Sequence, residues 1–119
     1  MGARTNFTFK TSTGSMILYS HWGGETKAMD LANALNKAYP RIKMGDEGYA
    51  LRVIVSQLIG PSWASETGFG IYLGQHGGEE EYYPVTIDLT NNTVTDDMGT
   101  HTIRDYLIYH SFLTEPATV

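Results

Sequence analysis

The alternation of apolar and polar residues predicts strands near both ends of the chain. Over residues 6–10, Phe7 and Phe9 alternate with polar side chains, a period of two that is typical of a half-buried strand. A turn at Thr13-Gly14-Ser15 leads into residues 16–22, which are rich in β-forming residues, so the two segments predict a β-hairpin. The same signals predict three later strands, at residues 69–73, 81–89 and 93–96, the last two joined by a tight turn at Asn91-Asn92.

A helical period replaces this alternation in the middle of the chain. Between residues 25 and 39, Ala and Leu recur three or four positions apart, which predicts an amphipathic helix that ends at Pro40. A second helix is predicted over residues 46–59, capped by Asp46 and ended by Gly60-Pro61. Residues 102–109 favour a short helix, although their Tyr and Ile content also suits a strand.

The order of these elements predicts the fold class. Because the helices are grouped in sequence and do not alternate with strands, a doubly wound parallel sheet is disfavoured. We expect an α+β fold in one domain over residues 1–119, an antiparallel β-sheet with two helices packed on one face and a short C-terminal element. Sheet edges, together with eight Tyr, four Phe and two Trp, also predict a homo-oligomer.

Charge and composition exclude several classes of partner. The net charge is -5, with 8 basic residues against 13 acidic ones, so neither a nucleic acid polymer nor an anionic membrane surface is an expected partner. No apolar stretch approaches the length of a membrane span. The chain has no cysteine, which removes disulfides and thiolate catalysis and suits a cytoplasmic location.

The scarcity of arginine makes two arginines candidate anion donors. Arg52 is the only charge between Tyr49 and Ile59, in a predicted helix that is apolar around nearly its whole circumference. A guanidinium buried there needs a partner, so we expect it either to bind the phosphate or carboxylate of a ligand, or to pair with an acid or extend to the edge of the helix. Arg104 stands beside Asp105 and is either a ligand donor or half of a surface ion pair.

Polar and aromatic residues around the last predicted hairpin are candidates for binding a base. Tyr82 and Tyr83 must point to opposite faces of their strand, so that one of them is exposed near Thr90, Asn91 and Asn92. An exposed ring can stack on a base while an amide reads its edge. The alternatives are an oligomer contact for the tyrosine and turn chemistry for the asparagines.

No catalytic motif is present in the sequence. The chain has no HExxH metal motif, no phosphate-binding glycine loop and no serine elbow, and the acidic runs at 79–81 and 96–97 are typical of solvated loop tips. We therefore expect no catalytic residue, no metal and no cofactor, and a function in binding.

Several segments together resemble a known family. They are the hairpin end at residues 18–24, the Tyr-Ala-Leu-Arg helix at 49–52, the tyrosines at 82 and 83 with Asn92, and the late Arg104. This pattern resembles the first described family of phage anti-Thoeris proteins, which act as sponges for cyclic nucleotide immune signals.

The resemblance implies a non-enzymatic, oligomeric protein in the cytoplasm of an infected bacterium. Such a protein sequesters cyclic ADP-ribose isomers and, in some members, cyclic di- or trinucleotides of CBASS immunity in a second site. It implies that Arg52 and Arg104 grip phosphates, while Tyr82 or Tyr83 and Asn92 hold the base. Two alternatives stay open: a structural or adaptor protein of a phage particle or other assembly, and an enzyme that degrades such a signal.

Overall fold

Six strands form one mixed sheet in the computed structural model, which describes residues 2–114. Their spatial order is β3-β2-β1-β4-β5-β6, and every neighbouring pair is antiparallel except β1 and β4. The strands are β1 (Thr5–Thr11), β2 (Gly14–Ser20), β3 (Phe69–Leu73), β4 (Val85–Asp88), β5 (Thr93–Asp96) and β6 (Gly99–Thr102).

Three helices complete the fold, and two of them pack on one face of the sheet. They are α1 (Lys27–Lys43), α2 (Glu47–Ile59) and α3 (Ile103–Tyr109), with a 3-10 helix at Gly60–Ala64 after α2. This arrangement confirms the predicted α+β class. It corrects the expectation of a wholly antiparallel sheet, because the chain returns across the sheet to place β4 parallel to β1.

The strand register gives the sheet a face covered by the helices and a face without helices. Phe7 and Phe9 of β1 lie beside Leu18 of β2 and Ile87 of β4 on the helix-covered face, where all four are at most 2% exposed. Since side chains alternate along a strand, the intervening residues lie on the opposite face, where the loop at residues 77–80 covers Asn6 and Ile17. The central positions of this face are Asn6, Thr8, Ile17, Tyr19, Tyr72 and Thr86.

Pro40 does not end α1, contrary to the prediction. Proline removes one backbone donor but does not prevent the residues after it from taking helical angles. Ile42 is 4% exposed, and its burial in the core stabilises the last turn of α1. The expected helix at the C-terminal end is confirmed, since the Thr102 hydroxyl caps α3 by accepting from the Asp105 N–H at 3.0 Å.

Two strands also differ from the prediction, one in its bounds and one in its presence. β4 begins at Val85 instead of residue 81, because residues 81–84 form a loop that ends in Pro84. β6 was not predicted, since Gly-Thr-His-Thr carries no alternating apolar pattern. Within residues 2–114, no helix is long and apolar enough to cross a membrane.

Candidate functional site

An aromatic cleft of about 430 Å³ lies where the end of β2 meets the start of β3. The His21 N–H donates to the Gly68 carbonyl at 2.8 Å, which extends the pairing of the two strands beyond Ser20 and Phe69. This contact brings two distant segments together around one opening. The aromatic cleft is lined by Tyr19, His21, Trp22, Thr67, Gly68, Phe69, Gly70 and Tyr72.

The rings of the aromatic cleft hold one another edge to face. The Tyr19 hydroxyl and His21 Nδ1 share a hydrogen bond of 2.9 Å. The Tyr19 and Tyr72 centroids lie 6.4 Å apart at 86°, and those of His21 and Trp22 lie 4.7 Å apart at 83°. Edge-to-face contacts of this kind are favourable beyond the area that they bury, so the cleft walls are ordered by their own contacts.

Glycines support the rings from behind. Gly68 has a φ of +99°, and a Cβ there would lie 3.1 Å from Trp22 Cζ3. A Cβ at Gly78 would lie 2.6 Å from Tyr19 Cδ1, a separation that side chains do not tolerate. The close approach of backbone and ring therefore requires glycine at both positions.

The aromatic cleft is open to solvent and uncharged. Trp22 is 63% exposed and Tyr72 is 40% exposed, and none of the lining residues is Asp, Glu, Lys or Arg. Burial raises the pKa of Tyr19, while the nearby Arg4 acts in the opposite direction, so this hydroxyl stays protonated at neutral pH. Stacking faces with a few neutral hydrogen-bonding groups suit a flat, uncharged ring.

The predicted polar residues lie at the other end of the sheet, around the β4–β5 turn. The Thr90 hydroxyl donates to a Glu47 carboxylate oxygen at 2.9 Å, and the Asn91 amide donates to Asp88 at 3.0 Å. Asn92 has a φ of +55°, and its carbonyl accepts from the Ile103 N–H at 2.9 Å. These contacts hold the turn against α2 and α3.

Both candidate arginines are exposed. Arg52 lies on the solvent side of α2 with an exposed side chain, and its Nη1 donates to the Ser56 hydroxyl at 3.4 Å. Of the three alternatives for Arg52, this placement matches a side chain that extends to the edge of the helix, because α2 directs Ala50 and Ile54 into the core instead. Arg104 is exposed in the first turn of α3, close to Asn92.

The two predicted tyrosines lie away from these polar residues. The Tyr82 hydroxyl donates to Glu25 at 3.2 Å, and Tyr83 is 56% exposed, its carbonyl accepting from Lys27. The Tyr82 N–H pairs with Arg4 just before β1, whereas the Leu89 N–H pairs with Lys10 near the end of β1, six strand residues or roughly 20 Å farther along. The expected neighbourhood of tyrosine and asparagine does not form within one copy.

The linings of the cavities contain none of the seven residues that were predicted to bind a ligand, at positions 52, 82, 83, 90, 91, 92 and 104. The residues of the aromatic cleft were not predicted as a site. Tyr19, His21 and Trp22 belong to a segment that carries the family resemblance, but they were not predicted to bind a ligand. The available signal was a cluster of rings before Gly23-Gly24 and a second run of glycines and rings at 68–72.

A second cavity, of about 580 Å³, lies between α3, the β5–β6 turn and the start of α1. Its lining includes Asp96, Asp105, His101 and His110, with His101 Nε2 3.6 Å from Asp96 Oδ1. Burial raises the pKa of Tyr106 to about 12 and lowers that of His110. In the part of the chain that the structure describes, no group of three or more acidic or histidine side chains is arranged to hold a metal ion.

The fold and the aromatic cleft define a small α+β protein with an exposed aromatic cleft near one edge of its sheet. Comparison of the chain with protein-family models, with curated proteins and with solved structures found no match.

Proposed function

We propose that this protein captures a nucleotide-type signalling molecule and holds it without cleaving it, as an anti-defence sponge does. The observation that supports this function is the aromatic cleft, in which exposed rings and neutral hydrogen-bonding groups surround an opening of about 430 Å³. An adenine or guanine base is the flat, uncharged group that such a lining accommodates. The ligand class is that of cyclic ADP-ribose isomers and cyclic di- or trinucleotides, met in the cytoplasm of an infected bacterium.

Stacking supplies the main part of the proposed affinity. Each base stacked on an aromatic ring is worth roughly 1–3 kcal/mol, whatever the sequence or sugar linkage of the ligand. The exposed indole of Trp22 is the largest ring in the aromatic cleft. Because the rings are already held by edge-to-face contacts and by Gly68, little side-chain ordering opposes binding.

We assign Arg104 to a separate surface at the turn end of the sheet, where the neighbouring Ile103 pairs with Asn92. Between this end and the aromatic cleft the sheet is roughly 20 Å long, about six strand residues. Arg52 is a further exposed cation outside the cleft, on the solvent side of α2. One cyclic ADP-ribose cannot reach both regions of one copy. The arginines therefore suit the phosphates of a second ligand, a cyclic di- or trinucleotide.

A thermal-shift experiment with recovery of the ligand tests the proposal. The protein is incubated with cyclic ADP-ribose or a cyclic dinucleotide, its Tm is measured, and the ligand released by heat is analysed by chromatography. We expect a concentration-dependent rise in Tm and intact ligand. A chemically altered ligand would establish an enzyme, and no shift with any nucleotide would leave the adaptor function that the exposed apolar residues of β3 favour.

A further inference from the structure

Strand β3 is an unprotected edge of the sheet. Among residues 2–114, β3 pairs with β2 on one side only. Its sequence, Phe-Gly-Ile-Tyr-Leu, has no charge and no proline, and Ile71 is 55% and Leu73 86% exposed. Natural sheet edges are usually shielded by charges, proline or a covering element. The opposite edge, β6, is short and runs directly into α3.

The backbone of β3 is oriented for pairing with a further strand. The Gly74 N–H donates to Ser15 and the Gly68 carbonyl accepts from His21, so the even-numbered residues direct their backbone groups toward β2. Because this direction alternates along a strand, the N–H and C=O of Phe69, Ile71 and Leu73 point away from the sheet. The outward donors and acceptors of these three alternate residues can therefore pair with a partner strand.

We propose that a second copy of this chain pairs antiparallel with β3, with Ile71 opposite the partner subunit's Ile71. A two-fold axis at this residue places Phe69 opposite the partner subunit's Leu73. The outward backbone groups of all three residues are then bonded. Registers centred on Gly70 or Tyr72 leave the groups of one of these residues unpaired.

The same register completes the aromatic cleft. It places the partner subunit's Tyr72 directly opposite Gly70, in the type of pair where side chains approach most closely. Gly70 lines the cleft and has no side chain, and the ring of Tyr72 in the same chain lies 3.5 Å from the position of a Cβ there. The partner's Tyr72 would therefore pack beside that ring and extend the aromatic wall of the cleft. An aromatic residue opposite an edge glycine is a stabilising arrangement. The pairing rests on the strand geometry, whereas the role of Tyr72 in binding rests on the proposed function.

Site-specific cross-linking tests the pairing, and the absence of cysteine from the chain makes an introduced thiol unique. In the proposed register, the two copies of residue 71 have Cα atoms about 5.5 Å apart, within the range of about 4.4–6.8 Å that a disulfide spans. Ile71→Cys should therefore yield a disulfide-linked dimer under mild oxidation. Leu73→Cys is the matched control, because its two copies lie about 13 Å apart, four strand residues, and cannot be bridged.

A cross-linked dimer with Ile71→Cys alone supports the register. Absence of cross-linking, or equal cross-linking of both variants, overturns it.

The Ile71→Lys variant tests the strand pairing and the proposed ligand binding separately. Two ammonium groups would face each other at the two-fold axis, so sedimentation velocity should show a dimer for the unaltered chain and a monomer for the variant. Circular dichroism and Tm establish that the variant is folded, as expected for an exposed position.

Cyclic ADP-ribose should bind the Ile71→Lys monomer about tenfold more weakly, since the partner's Tyr72 stacking of roughly 1–3 kcal/mol is lost. A monomeric unaltered chain overturns the pairing. A dimer that binds no nucleotide keeps the pairing and overturns the proposed function, and equal affinity in monomer and dimer overturns the completion of the cleft.

Discussion

The two ends of the sheet carry opposite kinds of chemistry. At the cleft end, Tyr19, His21 and Trp22 present rings with exposed faces and no charge. At the turn end, polar side chains predominate, but Glu47 and Asp88 already accept hydrogen bonds from their neighbours. The polar residues of the turn end are therefore largely engaged in holding turns together, whereas the exposed groups of the cleft end are aromatic.

The difference follows from how each end is assembled. The turn end joins two hairpin turns to the start of α2, and its donors and acceptors satisfy one another locally. The cleft end joins segments that follow β2 and precede β3, where glycines let rings approach the backbone. A surface of satisfied polar groups gains little from an uncharged base, whereas exposed rings lose contact with water when a base stacks on them.

The largest expected effect is at the cleft end. Trp22→Ala should weaken binding of cyclic ADP-ribose by about tenfold to a hundredfold, the equivalent of roughly 1–3 kcal/mol of base stacking. Trp63→Ala is the matched control, because Trp63 is 64% exposed against 63% for Trp22 but lies in the 3-10 helix outside the aromatic cleft. Isothermal titration calorimetry measures both. Equal losses in the two variants would remove the cleft from the proposed function.

A smaller effect is expected at the two exposed arginines. Arg52→Ala and Arg104→Ala should each weaken the binding of a cyclic dinucleotide by up to about fivefold, because exposed charge pairs are worth roughly 0–1 kcal/mol. The loss should shrink as salt is raised, whereas cyclic ADP-ribose binding should not change. Lys37→Ala, which removes an exposed cation from α1, is the control for net charge. An unchanged cyclic dinucleotide affinity in both variants would exclude Arg52 and Arg104 as donors to the phosphates.

Local patterns explain how much of the fold was predictable. The alternation of Phe7 and Phe9 located β1, and the Asp46 cap located the start of α2. β6 was missed because it buries little and has no apolar period. The parallel pairing of β1 with β4 depends on contacts between distant residues, which no local pattern contains.

The candidate site was less predictable than the fold, for the same reason. Arg52 stands in an apolar stretch, yet the sequence does not state which side of α2 meets the core. The aromatic cleft depends on the pairing of His21 with Gly68, a contact that exists only once β3 has joined β2. Its rings carry no charge and no catalytic motif, so a search guided by charge and motifs passes over them.

The smallest expected effect concerns the pH dependence of stability at the turn end. Hydrogen bonds from Ser12 and Thr90 lower the pKa of Glu47 below its ordinary value of 4.5. A carboxyl whose pKa is lowered by folding stabilises the folded state fully above its unfolded pKa, and this contribution is lost as pH falls through the folded pKa. The Glu47 contribution should therefore be present at pH 6 and decline below pH 4.5.

Glu47→Gln keeps the size of the side chain and removes the charge, so its stability should depend less steeply on pH over this acidic range. Urea midpoints measured from pH 6 to pH 3 give the slopes, with Glu66→Gln, an exposed loop position, as the control. If the Glu47→Gln chain loses stability on acidification as steeply as the unaltered chain, the hydrogen bonds at Glu47 do not hold the turns together. The turn end would then be a loose polar surface, free to reorganise around a ligand, and the contrast between the two ends of the sheet would disappear.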